Sequence, residues 1–261
     1  MYGLFIYPEM TQSHMDALKI DTYNLTETIM EICQTIQTEA KDSATDDHRL
    51  SNPVQICHGL EHFCDIILEL DLSPDSNAAP PDPASDFSEL ADFGISLISQ
   101  LMEWAELLQL KEMTNTLDDV IITTGVWCAR NLGHIQQIEP LVDALTRISN
   151  AHTEPDFLIE LSQIYQEIAN AIAPEIKEDM DNKDPMRPWR ILNLNYGIVA
   201  TRSYNLTIME QAFEQLLIRL PNDAHKFFTE GMEQMEMIDY PTHVRDMMEK
   251  YYLRTNNPTL H

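Results

Sequence analysis

The residues with the clearest capacity for chemistry are His58, Glu61 and His62, within the string HGLEH. In an H-x-x-E-H spacing on a helix, the two imidazoles share one face and can bind zinc, while the glutamate handles a proton. The alternative is a half-exposed helix with two surface histidines, and Gly59 lowers the helix propensity of this segment. A metal-binding protein or a metal-dependent hydrolase that uses the string at residues 58–62, with zinc as the possible metal, is therefore the second hypothesis and not the leading one.

Other catalytic motifs are absent from the sequence. The chain contains no E-x-x-H for a di-iron bundle, no glycine-rich phosphate loop, no G-x-S-x-G elbow and no C-x-x-C. Because these chemistries need their residues at such spacings, a non-catalytic protein is favoured over an enzyme, and we expect no cofactor apart from the zinc alternative. A third hypothesis is a small-molecule-binding bundle with an apolar cavity near Trp104 and Trp127.

The charge of the chain restricts its partners. Lysine and arginine number 16 against 43 aspartates and glutamates, which gives a formal net charge of -27. Such a chain repels phosphate backbones and anionic lipid, so we expect neither nucleic acid nor a membrane as partner. Residues 1–182 hold 7 basic and 33 acidic side chains, whereas residues 183–261 hold 9 and 10. Any anionic partner would therefore be received by the last third of the chain.

The cysteines indicate a reducing compartment. Four cysteines in 261 residues are few and show no disulfide-framework spacing: Cys33, Cys57, Cys64 and Cys128. No apolar stretch approaches the ~20 residues that span a bilayer, and the first ten residues do not read as a secretory signal. We therefore expect reduced thiols and a cytoplasmic location.

Helical periodicity dominates the chain and predicts an all-α fold. Residues 1–72 form an N-terminal helical segment, residues 73–86 a linker rich in proline and aspartate, and residues 87–261 a helical-repeat domain. Only residues 1–7 are a plausible strand. The expected helices are 13–39, 54–70, 87–110, 116–132, 134–149, 155–176, 189–203, 206–220, 224–238 and 242–253.

Glycines recur at spacings that suggest repeated helical hairpins. Gly125 and Gly197 are 72 residues apart, and Gly231 follows after a further 34. A hairpin of about 34–37 residues cannot bury its apolar face alone, whereas stacked copies share a continuous core. The prediction is a set of stacked antiparallel helical hairpins, either as a solenoid or as an irregular helical bundle.

The residues of one hairpin resemble a known repeat. Gly197 in a first helix, Phe213 in a second helix and Pro221 at its end are similar to the small–aromatic–proline pattern of tetratricopeptide repeats. The resemblance covers residues 116–254. It implies hairpins whose first helices line a concave groove for a protein or peptide.

The resemblance also implies which side chains face that groove. Arg130 and Arg202 would repeat in it, and Arg190, Asn195 and Tyr196 lie on or near the same helix as Arg202. Guanidinium groups suit carboxylates or phosphates. The alternative is that each arginine pairs with a nearby carboxylate inside the protein. The leading hypothesis is a non-catalytic adaptor that binds a protein or peptide.

A methionine-rich segment offers a second binding surface. Residues 232–237 read MEQMEM, and Met247 and Met248 follow. Unbranched, polarizable methionine side chains suit adaptable binding surfaces, and they also fill irregular cores. The sequence leaves both interpretations open.

Overall fold

A computed structural model describes residues 21–42, 50–72, 83–180 and 183–256. These residues form helices and contain no strand, which confirms the all-α prediction. The candidate strand at residues 1–7 lies outside the described residues. The helices are α1 (Thr22–Asp42), α2 (Pro53–Leu72), α3 (Pro83–Leu107), α4 (Lys111–Arg130), α5 (Ile138–Ala151), α6 (Pro155–Ala171), α7 (Pro174–Lys177), α8 (Pro188–Arg202), α9 (Leu206–Arg219), α10 (Pro221–Met237) and α11 (Thr242–Asn256).

Proline begins many of these helices. Its missing N–H costs nothing in the first turn, where the amide has no intrahelical acceptor, and its fixed φ suits a helix. Helix α3 therefore begins at Pro83, so residues 83–86, which the sequence assigned to the linker, are helical. Residues 73–82 of that linker lie outside the described part of the chain.

The predicted helix 155–176 is interrupted. Helix α6 ends at Ala171, because the chain then pairs with Ile135 in an isolated parallel bridge. The Ile135 amide donates to the Ala171 carbonyl at 2.9 Å, and the Ala173 amide donates to the Ile135 carbonyl at 2.9 Å. The same bridge keeps Ile135 out of the helix predicted from residue 134, and α5 begins only at Ile138.

The chain divides into two compact units, Met1–Trp127 and Cys128–His261. The boundary falls inside α4 and not in residues 73–86, where the sequence placed a domain boundary. The reason lies in the first unit, where α2 packs against α3 and α1 packs against both. The helices on either side of the proline-rich stretch thus share one core.

The core of the first unit is tightly closed between α2 and α3. A Cβ atom on Gly94 would lie 2.6 Å from the Phe63 ring, so glycine is what allows this approach. Aliphatic side chains complete the core, among them Ile29, Ile36, Leu60, Ile67 and Ile95. Their burial is the main stabilising contribution to this unit.

The second unit is built from helices that pack with their neighbours along the chain. Helix α8 packs against α5, α6 and α9, while α10 packs against α11 and α9. Aromatic rings join α9, α10 and α11, with Phe213 lying 5.1 Å from Phe228 and 5.2 Å from Tyr251 between ring centroids. Edge-to-face contacts of this kind contribute about 1 kcal/mol each beyond the area they bury. This packing fixes the position of α10, which carries the candidate site.

Candidate functional site

A groove of about 430 Å³ opens beside α10 in the second unit. We call it the α10 groove. Helix α10 contributes most of its lining, and α8, α11 and the loop between α10 and α11 contribute the rest. Its lining residues are Ile198, Thr201, Phe227, Glu230, Gly231, Glu233, Gln234, Met235, Tyr240 and Met248.

Helical spacing explains why α10 contributes so much of the lining. Phe227, Gly231 and Gln234 stand at positions i, i+4 and i+7, which share one face of a helix. From Phe227 to Met235 the helix rises by about 12 Å, or just over two turns. The groove is therefore long enough for several side chains of a partner.

Two glycines shape the groove by allowing close packing. A Cβ atom on Gly197 of α8 would lie 2.7 Å from Cζ of Phe227. A Cβ atom on Gly231 of α10 would lie 2.7 Å from Sδ of Met248. The glycines that the sequence aligned at a 34-residue spacing thus both border the same groove. Their neighbours differ, since Gly197 of α8 faces Phe227 of α10, whereas Gly231 of α10 faces Met248 of α11.

The groove combines a buried floor with an apolar edge that water still reaches. Met235 and Met248 are each 2% exposed, whereas Ile198 at the edge remains 45% exposed. Two further apolar residues at the end of α10 are open to solvent, Met237 at 70% and Ile238 at 49%. Exposed apolar groups next to a concave surface are typical of a binding site.

The charged side chains of the lining are both acidic, Glu230 and Glu233. Lys226 lies 3.6 Å from Glu230, but both side chains are largely exposed, so this pair is weak. Arg245 donates to the backbone carbonyls of Tyr240 and Ile238, and its charge is opposed by Asp239, whose carboxylate lies 3.6 Å away. The edge of the groove is therefore negative.

Tyr240 supplies a neutral hydroxyl to the lining. Burial raises the pKa of its phenol, and the neighbouring Tyr204 raises it further. Tyr240 also packs edge-to-face on Tyr204, with the ring centroids 6.0 Å apart. The phenol thus stays protonated near neutral pH and adds no charge to the groove.

The five residues predicted to face a groove do not line the α10 groove; they make contacts within the protein. Arg130 forms a bidentate ion pair with Glu167, with Nε 2.8 Å from Oε2 and Nη2 3.2 Å from Oε1. Arg202 donates to the backbone carbonyls of Ser149 and His152 at the end of α5. In each arginine, these contacts engage two of the three guanidinium nitrogens.

The other three predicted residues are also engaged internally. Asn195 donates through Nδ2 to Oγ1 of Thr146 at 2.8 Å. Tyr196 is only 1% exposed and stacks on Tyr165, with the ring centroids 6.3 Å apart. Arg190 donates through Nε to Oδ1 of Asp223 at 2.6 Å.

The Arg190 contact belongs to a larger ion-pair network. Arg187 donates to both carboxylate oxygens of Asp179 and also reaches Asp223 at 3.0 Å. The side chains of the network are 10–19% exposed. Burial alone would raise the pKa of the Asp223 carboxyl, but the hydrogen bonds from Arg190 and Arg187 hold it below its usual value. The network ties α10 to the segment that precedes α8.

The residues of the predicted zinc motif lie on the surface of α2. His58 Nδ1 lies 3.4 Å from Glu61 Oε2, with side chains 74% and 57% exposed, and His62 is exposed as well. Within residues 21–42, 50–72, 83–180 and 183–256, no three or more His, Cys, Asp or Glu side chains are grouped so that they could hold a metal ion. The motif residues are therefore not assembled as a zinc site in this structure.

The tryptophans of the small-molecule hypothesis take part in packing. The indole of Trp104 donates to the Ser51 carbonyl at 2.9 Å. Trp127 packs edge-to-face on Phe87, with the ring centroids 5.4 Å apart. Both indoles are at most 3% exposed and belong to the core of the first unit.

The chain matches no protein-family model, no curated protein and no solved structure. Among the described helices, none combines the length and apolar character needed to cross a membrane.

The methionine-rich segment was the sequence signal closest to this groove. Met235 from that segment and Met248 from the following helix form its floor. On α8, the predicted groove residues are Arg190, Asn195, Tyr196 and Arg202, whereas the residues that line the groove are Ile198 and Thr201. The spacing identified the helix but not its exposed face.

Proposed function

We propose that this protein is a non-catalytic adaptor of the helical-repeat type, similar to tetratricopeptide-repeat proteins, that binds a protein or peptide in the α10 groove. The observation that carries the proposal is the pairing of a buried methionine floor with an exposed apolar edge at Ile198. The cytoplasmic location stays a prediction from the cysteine content.

The dimensions of the groove suit side chains of a partner chain. Each apolar side chain that becomes fully buried contributes about 1.5–3 kcal/mol. Two such anchors, offset by the cost of ordering the partner, give an affinity suited to reversible peptide recognition. Methionine side chains in the floor can adjust to different anchors, because their unbranched stems change rotamer at low cost.

The proposal can be tested by selecting peptides from a displayed random library against the whole protein. The blocking variant is Gln234→Trp, because Gln234 lines the groove and is exposed, so a bulky ring there fills the groove without disturbing the core. The matched control is His225→Trp, which is exposed and nine residues earlier, on the opposite face of α10.

We expect the selected peptides to bind the wild type and His225→Trp alike and to lose at least tenfold in affinity for Gln234→Trp. Peptides that bind all three proteins equally would show that the groove is not the binding site. Stoichiometric zinc in protein purified without a polyhistidine tag, lost in a His58→Ala, His62→Ala variant, would instead support the metal hypothesis.

A further inference from the structure

We infer that the partner of the α10 groove is a cationic amphipathic helix, with apolar side chains along one face and lysine or arginine beside them. The inference rests on the proposed function and specifies the chemistry of its ligand. It follows from the charge at the edge of the groove and from the shape of its floor.

The charge at the edge is negative and available to a partner. Glu230 and Glu233 stand one helical turn apart on α10, so both flank the same stretch of floor. Glu233 makes no ion pair with any residue that the structure describes. The neighbour of Glu230 is Lys226, in an exposed contact of 3.6 Å that a cation of a partner can replace.

The shape of the floor favours a helix. The face of α10 that Phe227, Gly231 and Gln234 share runs along the groove for about 10.5 Å. A partner helix with apolar residues at i, i+4 and i+7 presents anchors over about 10.5 Å, which matches this length. Its flanking cations would then lie beside the two glutamates.

The charges are expected to govern specificity and encounter rate more than total affinity. Ion pairs at the rim of a groove are partly solvated, so each contributes modestly to the binding free energy and weakens as salt is added. With two pairs, a lysine-flanked helix should bind about tenfold tighter than a glutamate-flanked helix of the same apolar sequence. The preference should decline as the salt concentration rises.

The test uses two synthetic, fluorescein-labelled helical peptides with leucine at i, i+4 and i+7, flanked either by lysine or by glutamate. Fluorescence anisotropy measures their dissociation constants for the full-length protein. The charge-reversal variant is Glu230→Lys, Glu233→Lys. The control is Asp143→Lys, Glu178→Lys, which changes the net charge equally at exposed positions outside the lining.

We expect the wild type and the control variant to prefer the lysine-flanked peptide, and the charge-reversal variant to prefer the glutamate-flanked one. The Gln234→Trp variant should weaken the binding of either peptide. A control variant that reverses its preference, or binding that survives Gln234→Trp, would mean that the peptide is attracted by overall charge, and the inference would be wrong.

The failure of the inference is distinguishable from the failure of the proposed function. If the wild type binds both peptides equally and Gln234→Trp blocks both, the groove binds helices without regard to charge, so only the inference fails. If neither peptide binds while library peptides do bind in the groove, the partner has another chemistry, and again only the inference fails. If no peptide of either kind depends on the groove, both are overturned.

Discussion

Removing the carboxylate of Asp223 tests whether Arg190 serves the fold or a partner. In Asp223→Ala, Arg187 keeps Asp179, but Arg190 keeps only its bond to the Pro185 carbonyl. Breaking a fully buried ion pair costs roughly 3–5 kcal/mol of unfolding free energy. Because the side chains of this network are 10–19% exposed, we expect a cost at the lower end of that range. Asp223 also stands in the first turn of α10, where its charge is favourable by about 0.5 kcal/mol. We expect the variant to lose about 3 kcal/mol of unfolding free energy at pH 7.

Urea denaturation followed by circular dichroism measures this loss, with Asn222→Ala as the matched control. Asn222 is the exposed neighbour in the same helical turn, and its replacement should change the unfolding free energy by less than about 0.5 kcal/mol. A double-mutant cycle with Arg190→Ala should show a coupling of about 1 kcal/mol or more. Strictly additive effects would mean that Arg190 and Asp223 do not act as a pair.

The pH dependence of the unfolding free energy gives an independent check that the ionised Asp223 carboxylate stabilises the fold. Because the folded protein holds the pKa of Asp223 below its usual value, the ionised carboxylate stabilises the fold. That stabilisation is fully present above the unfolded pKa of about 4 and is lost as the pH falls through the folded value. The difference between the wild type and Asp223→Ala should therefore persist from pH 7 to pH 5 and shrink below about pH 4. A difference that grows on acidification would refute the reasoning.

Two further predictions concern contacts that the sequence interpreted otherwise. Arg202→Ala should lower the unfolding free energy by about 1–2 kcal/mol, because two carbonyls at the end of α5 lose their donor. Arg130→Ala should lower it by less than about 1 kcal/mol, because the pair of Arg130 with Glu167 is surface-exposed. Thermal melts measure the difference, and equal melting temperatures for the two variants would contradict it. Gly197→Ala should lower the melting temperature despite the better helix propensity of alanine, because the added methyl group meets the Phe227 ring and overpacking costs about 1–3 kcal/mol. A raised melting temperature would show that the ring moves aside freely.

The elements could be predicted from the sequence because helical periodicity is local. In an amphipathic segment, the stripe of apolar residues indicates which face is buried, whatever that face meets. The ends of helices were less predictable where distant residues intervene. The bridge between Ile135 and Ile172 joins residues 37 positions apart, and no local pattern marks it.

The site was harder to predict because the partner of a charged side chain is set by packing. Arg190 meets Asp223, 33 residues away, and Arg202 meets the end of α5, 50 and 53 residues away. A spacing argument places an arginine on a helix but not against a particular acceptor. The methionine-rich segment was more informative, because its composition is a local signal and Met235 within it lies in the floor of the groove.

The last third of the chain shows why composition misjudges local charge. Residues 183–261 are nearly neutral by count, which suggested a surface able to receive an anionic partner. In the structure, most of the cations there contact carboxylates, an amide oxygen or backbone carbonyls: Arg187, Arg190, Arg202, Arg219, Lys226, Arg245, Lys250 and Arg254. A cation paired with a carboxylate contributes little net field to a neighbouring groove, whereas Glu233 makes no ion pair with any residue in the described part of the chain. The two glutamates of the lining give the α10 groove a negative edge even where the count is balanced, which is why the proposed partner carries cations, and not anions, beside the groove.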